Sequence, residues 1–217
     1  MTSFKSTSLA DKVFEKLEND IIFGVYSRGE ILTELKLVEQ LGVSRTPIRE
    51  ALRRLEQERL IEDTGKGSVV LGITKEDLTD ILNIRLRVEG LATYYATKNM
   101  TEEGLQELRH VVDLQEFYYT KRDTDHMREM DDQFHALICR LSKRTVIADT
   151  LLPLHRKTQR YRKASIEDKN RTAQVVIEHR KIFDAICAGD AELAERLTTE
   201  HIAHAKQSML ERVKENG

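Results

Sequence analysis

The stretch Thr33-Glu-Leu-Lys-Leu-Val-Glu-Gln-Leu-Gly-Val-Ser-Arg-Thr-Pro-Ile-Arg-Glu-Ala-Leu-Arg-Arg-Leu55 decides the fold of the first part of this chain. It reads as two short helices joined at Gly42-Val43-Ser44, the layout of a helix-turn-helix. Leu35, Val38 and Leu41 fall at helical spacing on the first helix, and Ile48, Leu52 and Leu55 repeat that spacing on the second. Gly42 supplies the backbone freedom that a tight interhelical turn requires. Ser44 is placed to cap the second helix, and Pro47 falls in its first turn, where a missing N–H does little harm. With the apolar face buried, Arg45, Thr46 and Arg49 are left projecting from the helix N-terminus, the end that enters the major groove in this motif.

The pattern continues through Arg53, Arg54 and Arg59 to the apolar pair Leu60-Ile61. Then comes Ile61-Glu-Asp-Thr-Gly-Lys-Gly-Ser-Val-Val-Leu71, two short β-prone runs around Gly65-Lys66-Gly67, which predicts a tight hairpin. A hairpin directly after a recognition helix is the wing of a winged helix, and Lys66 at its tip can reach a phosphate or the minor groove. Residues 8–71 resemble the DNA-binding domain of GntR-type bacterial transcription regulators, whose hallmark run Gly-Val-Ser-Arg-Thr-Pro-Ile-Arg-Glu-Ala-Leu stands unbroken from Gly42 to Leu52. The DNA-binding set read here is Ser44, Arg45, Thr46, Arg49 and Lys66, with Arg45 and Arg49 on bases or adjacent phosphates and Thr46 on phosphate. Charge alone argues otherwise. Residues 1–70 carry 11 Lys/Arg against 12 Asp/Glu, which fits a merely solvated helix face. The signal lies in placement: Arg45, Arg49, Arg53 and Arg54 crowd one helix, while Asp11, Glu15 and Glu18 lie elsewhere in the sequence.

Length allows 217 residues to form one large domain or two small ones, and the break at Leu71-Gly72-Ile73-Thr74 favours two, 1–72 and 73–217. The net charge is −2, so bulk charge does not identify a partner. With 40% hydrophobic and 33% charged residues the chain has material for a core and a soluble helical surface. Only two prolines and ten glycines interrupt it, so long helices are expected. No apolar run approaches the roughly 20 residues of a membrane span. Met-Thr-Ser-Phe-Lys-Ser-Thr-Ser lacks a signal peptide's apolar region, and Cys139 and Cys187 sit in apolar helical contexts without CxxC spacing; a cytoplasmic protein with buried, reduced thiols is expected.

From Ile73 onward the chain reads as an all-helical antiparallel bundle of about six helices. Thr74 caps a long segment with Leu78, Ile81, Leu82, Leu86 and Leu91 as its apolar side, and Thr101-Glu-Glu opens the next as a cap followed by acids. Further amphipathic segments cover about 123–141, 144–163, 171–188 and 190–213, with Gly189 ending one helix and Asp190 capping the last. Asp131 and His135, four apart, share a face; His179 lies with Ile182, Phe183 and Ile186, and His201 with Leu193, Leu197 and Ala205. Three histidines and an aspartate thus point to a common interior, and imidazole and carboxylate suit zinc, nickel, manganese or iron. A single helical histidine is more often a hydrogen-bonded core residue than a ligand.

The second domain is similar to the FCD effector domain of the FadR-type branch of GntR regulators. The resemblance rests on Asp131-Asp-Gln-Phe-His135, on Glu178-His179, and on a histidine of the last helix, His201. It implies one divalent transition metal per chain, with zinc preferred and nickel or manganese as alternatives, held by Asp131, His135, His179 and His201. It also implies a small organic-acid effector beside the metal, with Arg85 of Arg85-Leu-Arg-Val-Glu89 binding its carboxylate; the alternative for Arg85 is an intrahelical pair with Glu89. Arg156, Arg160, Tyr94 and Tyr95 are further candidates for the pocket wall. His110, His126, His155 and His204 are read as surface or rim residues. The whole reads as a homodimeric, ligand-responsive regulator, a repressor of double-stranded operator DNA, without catalytic residues or membrane attachment. The rival readings are a regulator with a purely structural metal and a metal-dependent hydrolase, the latter leaving the winged helix unexplained.

Overall fold

The Ser8 hydroxyl accepts from the Asp11 N–H while the Asp11 carboxylate accepts from the Ser8 N–H, and this reciprocal cap starts α1 (Leu9–Ile22). The computed structural model describes residues 8–166 and 168–215. By its internal contacts the chain divides into two units, residues 1–74 and residues 75–217.

In the first unit, α1 is followed by β1 (Ile31–Leu32), α2 (Glu34–Leu41), α3 (Arg45–Gln57), β2 (Ile61–Asp63) and β3 (Ser68–Val70). Gly42 ends α2 at φ +65°, and its N–H donates to the Val38 carbonyl. The strands form an antiparallel sheet in the order β1-β3-β2, with Ile61 opposite Val70 and Ile31 opposite Val69. The hairpin β2–β3 is the expected wing; its third strand, β1, is too short to be read from period-two alternation. Gly67 has φ +139°, and a Cβ there would stand 2.7 Å from Ile31 Cγ2 and 2.9 Å from the Leu32 carbonyl oxygen. Only glycine lets the wing close on β1. Phe14, Leu17, Leu32, Leu37, Ile48, Ala51, Leu55, Leu60 and Val70 make the core. Leu35, expected on the buried face, is 58% exposed, and Leu37 takes the fully buried position. A two-turn helix with leucines at 35, 37 and 41 has no unique apolar side; packing against α3 makes the choice.

The second unit contains α4 (Lys75–Lys98), α5 (Glu102–Lys121), α6 (Thr124–Leu141), α7 (Thr145–Lys157), α8 (Gln159–Ile166), α9 (Lys169–Cys187) and α10 (Ala191–Glu215). There are seven described helices rather than six, because the expected segment 144–163 breaks at Thr158. Its N–H bonds back to the His155 carbonyl, three residues away, and its hydroxyl donates to the carbonyls of Leu154 and His155. Thr101 caps α5 through the Gly104 N–H, and Asp190 caps α10 through the Leu193 N–H. Leu108, Val112, Phe134, Ile138, Leu151, Ile182, Phe183 and Ile186 belong to one apolar cluster. Leu91 is exposed, whereas Arg85 and Glu89 are buried in α4 alongside Leu78, Leu82, Ala92 and Ala96. A polar pair therefore occupies a face that hydropathy assigns to leucine. Among the described residues, no helix is long and apolar enough to cross a membrane.

The α4–α10 contact has a steric limit at Gly90, where a Cβ would meet Thr199 Oγ1 at 2.5 Å and the Glu195 carbonyl oxygen at 2.9 Å. Helix propensity favours alanine over glycine by about 1 kcal/mol. Overpacking against backbone costs about 1–3 kcal/mol. Gly90→Ala is therefore expected to lower the urea midpoint; a raised midpoint would show that α10 withdraws freely.

Candidate nucleic-acid interface and metal centre

Burial of Pro47, Ile48, Ala51 and Leu55 fixes the rotation of α3, and Ser44, Arg45, Thr46 and Arg49 are left exposed along its first turns. Ser44 occupies the N-cap position, as expected, but its hydroxyl makes no capping hydrogen bond. Lys66 is exposed at the hairpin tip between Gly65 and Gly67. Arg49, Arg53 and Lys66 line one groove between α3 and the wing, together with the acids Glu34, Glu56 and Asp63. Two acids distant in sequence pair with arginines of α3. Arg49 Nε donates to Glu34 Oε1 at 2.7 Å, and Arg54 Nη1 donates to Asp11 Oδ1 at 2.6 Å with its guanidinium 3.9 Å from the Phe14 ring centroid. Arg54 therefore braces α3 on α1, leaving Arg45, Arg49 and Arg53 as the exposed cations of the recognition helix.

In the helical unit α6 brings Asp131 and His135, α9 brings His179 and α10 brings His201 into one buried cluster. His179 Nε2 lies 3.3 Å from His201 Nε2, which lies 3.4 Å from His135 Nε2. Asp131 Oδ1 is 3.7 Å from His179 Nε2, while its Oδ2 faces Arg162 Nη1 at 3.3 Å. Each ring is oriented through its other nitrogen. Nδ1 of His201 faces Glu178 Oε2 at 2.7 Å, that of His135 faces Glu89 Oε2 at 3.0 Å, and that of His179 faces Gln115 Oε1 at 2.8 Å. Carboxylate and amide oxygens accept, so Nδ1 carries a proton, and wherever the ring is neutral its Nε2 offers a lone pair toward the other two. Phe134 stacks on His179 with centroids 4.0 Å apart, closing one side of the cluster.

Electrostatics agree with this tautomer assignment. Burial, with His201 and His135 adding to it, pushes the His179 pKa well below its usual value. Burial lowers that of His201 as well, outweighing Glu178. Burial alone would raise the Asp131 pKa, but Arg162 and the histidines bring it below the ordinary carboxylate value. Glu178 resists its own burial through the hydrogen bond from His201, the nearby charges and His204, and falls to about 2. Three imidazoles that turn Nε2 inward, with the Asp131 carboxylate beside them, are a donor set that could hold a cation. Ligand atoms around a tetrahedral zinc with bonds of about 2.0–2.1 Å lie about 3.3–3.4 Å apart, which the two nitrogen–nitrogen distances match.

Several contributors to this centre escape sequence reasoning. His155, expected at a rim, is buried, and its Nε2 faces Glu89 Oε1 at 2.9 Å. Arg85 is also buried; it pairs with Glu89 and donates from Nη1 to Thr158 Oγ1 at 3.0 Å. Glu89, His135 and His155 form a second close group of potential ligand atoms. Arg162 and Arg171 line a small cavity beside Arg85, Asp131, His135 and His201, and Nη2 of Arg162 and both Nε and Nη2 of Arg171 have no partner there. The Arg85-x-x-x-Glu89 spacing signals the first pair. Nothing local signals Arg162 or Arg171, which depend on the break at Thr158 and on the α8–α9 packing. Of the other pocket-wall candidates, Tyr94 and Tyr95 are half-buried and pack edge to face on one another at 5.4 Å.

Comparison with known proteins identifies the class. Residues 9–70 match the family described as bacterial regulatory proteins, gntR family, and residues 80–204 match the FCD domain. The chain belongs to the GntR family of bacterial transcription regulators, in the group that carries an FCD domain. It is 28% identical over 98% of its length to 97% of an uncharacterised HTH-type transcriptional regulator of Bacillus subtilis, YdhC. It is 26% identical over 94% of its length to 90% of the Escherichia coli transcriptional repressor RspR. The E. coli McbR/YncC structure superposes with a TM-score of 0.80 at 22% identity, covering 96% of this chain and all of that one. These relationships indicate a DNA-binding transcription regulator rather than an enzyme.

The buried neutral histidines set a pH dependence. Burial, only partly offset by Glu89, lowers the His155 pKa to about 4, and His179 and His201 shift in the same direction. An unfolded histidine titrates near about 6.5, so as pH falls the unfolded chain takes up protons first. Stability is then full above about 6.5 and declines toward about 4. Urea midpoints in the presence of a chelator are expected to drop between about pH 7.5 and about pH 5. Equal midpoints would show that these rings are protonated in the folded unit.

Proposed function

We propose that this protein is a ligand-responsive transcriptional repressor that binds operator DNA as a homodimer and senses a small carboxylate beside a metal in its helical unit. Ser44, Arg45, Thr46, Arg49 and Lys66 form its DNA-contacting set. Arg45 and Arg49 sit where a recognition helix meets base edges, Ser44 and Thr46 where its N-terminus meets phosphate, and Lys66 on the wing. A two-fold dimer presents two such helices to a near-palindromic site.

The observation that carries the sensing half is the convergence of three Nε2 atoms from α6, α9 and α10. Lone pairs facing one another at these distances repel unless a cation lies among them. His135, His179 and His201, with Asp131 from the same face of α6, would hold a divalent transition metal, zinc before nickel or manganese. When bound, the metal supplies a Lewis-acidic position for an effector oxygen. The protein's share is orientation: Glu89, Gln115 and Glu178 hold the rings by their Nδ1 atoms. The unpartnered guanidinium donors of Arg162 and Arg171, with Arg85 beside them, supply positive charge for an organic anion. Sensing requires that the anion bind DNA-free and DNA-bound protein unequally, and the operator must then change anion affinity by the same factor.

Metal analysis of the tag-free protein by plasma mass spectrometry is expected to give about one ion per chain, and Asp131→Ala/His135→Ala to lose it. Metal-free protein after incubation with zinc, nickel and manganese would return the cluster to core chemistry. In the other unit, Arg49→Ala is expected to weaken the selected operator by roughly tenfold to a hundredfold more than random duplex. An equal loss on both would assign Arg49 to phosphate.

A further inference from the structure

We propose that Glu34 is a positioning residue for DNA recognition, holding Arg49 in the orientation in which its two terminal nitrogens meet one guanine. The inference rests on the reading of Arg49 as a base-contacting residue. Thr33 caps α2 through the Lys36 N–H, which puts Glu34 at the first helical position, at the edge of the groove between α3 and the wing. From there its Oε1 accepts from Arg49 Nε at 2.7 Å, across 15 residues of sequence. Nη1 and Nη2 have no partner among the described residues, and these are the two donors that an end-on bidentate contact to guanine O6 and N7 uses. An arginine with rotatable side-chain bonds gains specificity when one donor is fixed from behind, because the fork is already aimed.

A stability role does not explain the pair. The Arg49 side chain is 63% exposed and that of Glu34 36% exposed, and ion pairs so placed contribute little to folding. A phosphate-binding role does not explain it either, since a carboxylate among Arg49, Arg53 and Lys66 opposes the polyanion. Its hydrogen bond from Arg49, against a slight burial effect, holds the Glu34 carboxyl below the usual range, so it remains charged at neutral pH. An acid that weakens general attraction and fixes a reading arginine shifts the balance from affinity toward discrimination.

The test uses the full-length protein and a randomised double-stranded DNA library, with selected sequences read by sequencing and affinities measured on the resulting duplexes. Arg49→Ala is expected to erase the guanine preference at one position of each half-site. Glu34→Ala should lower the preference at that same position by roughly tenfold, while binding to non-selected duplex stays constant or tightens. Glu34→Gln, which keeps an oxygen acceptor, should retain most of the preference, and the double variant should match Arg49→Ala. An unchanged preference in Glu34→Ala overturns the proposal. So does a loss at a different position, which would make Glu34 a reader of cytosine in its own right, or an equal loss on every sequence. If Arg49→Ala itself weakens all sequences equally, the underlying reading of Arg49 fails and the proposal falls with it.

Discussion

The helical unit depends on one buried carboxylate. Glu89 is nearly inaccessible to solvent and meets Arg85 within its own helix, His135 from α6 and His155 from α7. Burial disfavours its charge, yet these partners hold its pKa well below the ordinary carboxylate value, Arg85 first among them. Removing one member of such a set leaves the others buried and unpaired, at a cost of about 3–5 kcal/mol, even though the intact set adds little net stability over apolar packing. What the set provides is definition. It fixes the His135 tautomer, ties Arg85 to the end of α7 through Thr158, and thereby locates α8, which carries Arg162.

The cluster of imidazoles follows from this constraint. Its distances are set by helices that pack through the Phe134, Ile138, Ile182 and Phe183 core, and its ring rotations by Glu89, Gln115 and Glu178. The rings stand on several helices and are supported from behind, so small movements of one helix would alter the whole cluster. The surplus of unpartnered guanidinium donors in Arg162 and Arg171 stands on the same side. In the DNA-binding unit the organisation is different. The apolar face of α3 sets which residues reach outward, and at the surface Glu34 pairs with Arg49.

Much of this was legible in the chain. The run Gly42–Leu52 and the glycines around Lys66 encode local geometry: a left-handed turn, a helix with one apolar stripe, and a hairpin tip. The Asp131/His135 spacing puts both side chains on one face whatever the packing, and Thr101 and Asp190 cap the helices they precede. The misses are equally specific. Leu35 and Leu37 could exchange roles in so short a helix, Leu91 lies on the exposed side of α4 while Arg85 and Glu89 are buried, Cys187 is exposed rather than buried, and the helix expected over 144–163 breaks at Thr158.

The sequence by itself determined the class of protein, and it singled out α3 and the Asp131, His135, His179 and His201 group that the helices bring together. These follow from short-range rules, because helical period, capping and turn conformation act over a few residues. Only the tertiary structure decided which acids meet which bases: Asp11 with Arg54, Glu34 with Arg49, Glu89 with His135 and His155, and Glu178 with His201. Those pairings span 15 to 66 residues or bridge different helices. Charge has no periodicity that foretells its partner, so its pairing emerges only when the packed helices bring the side chains together.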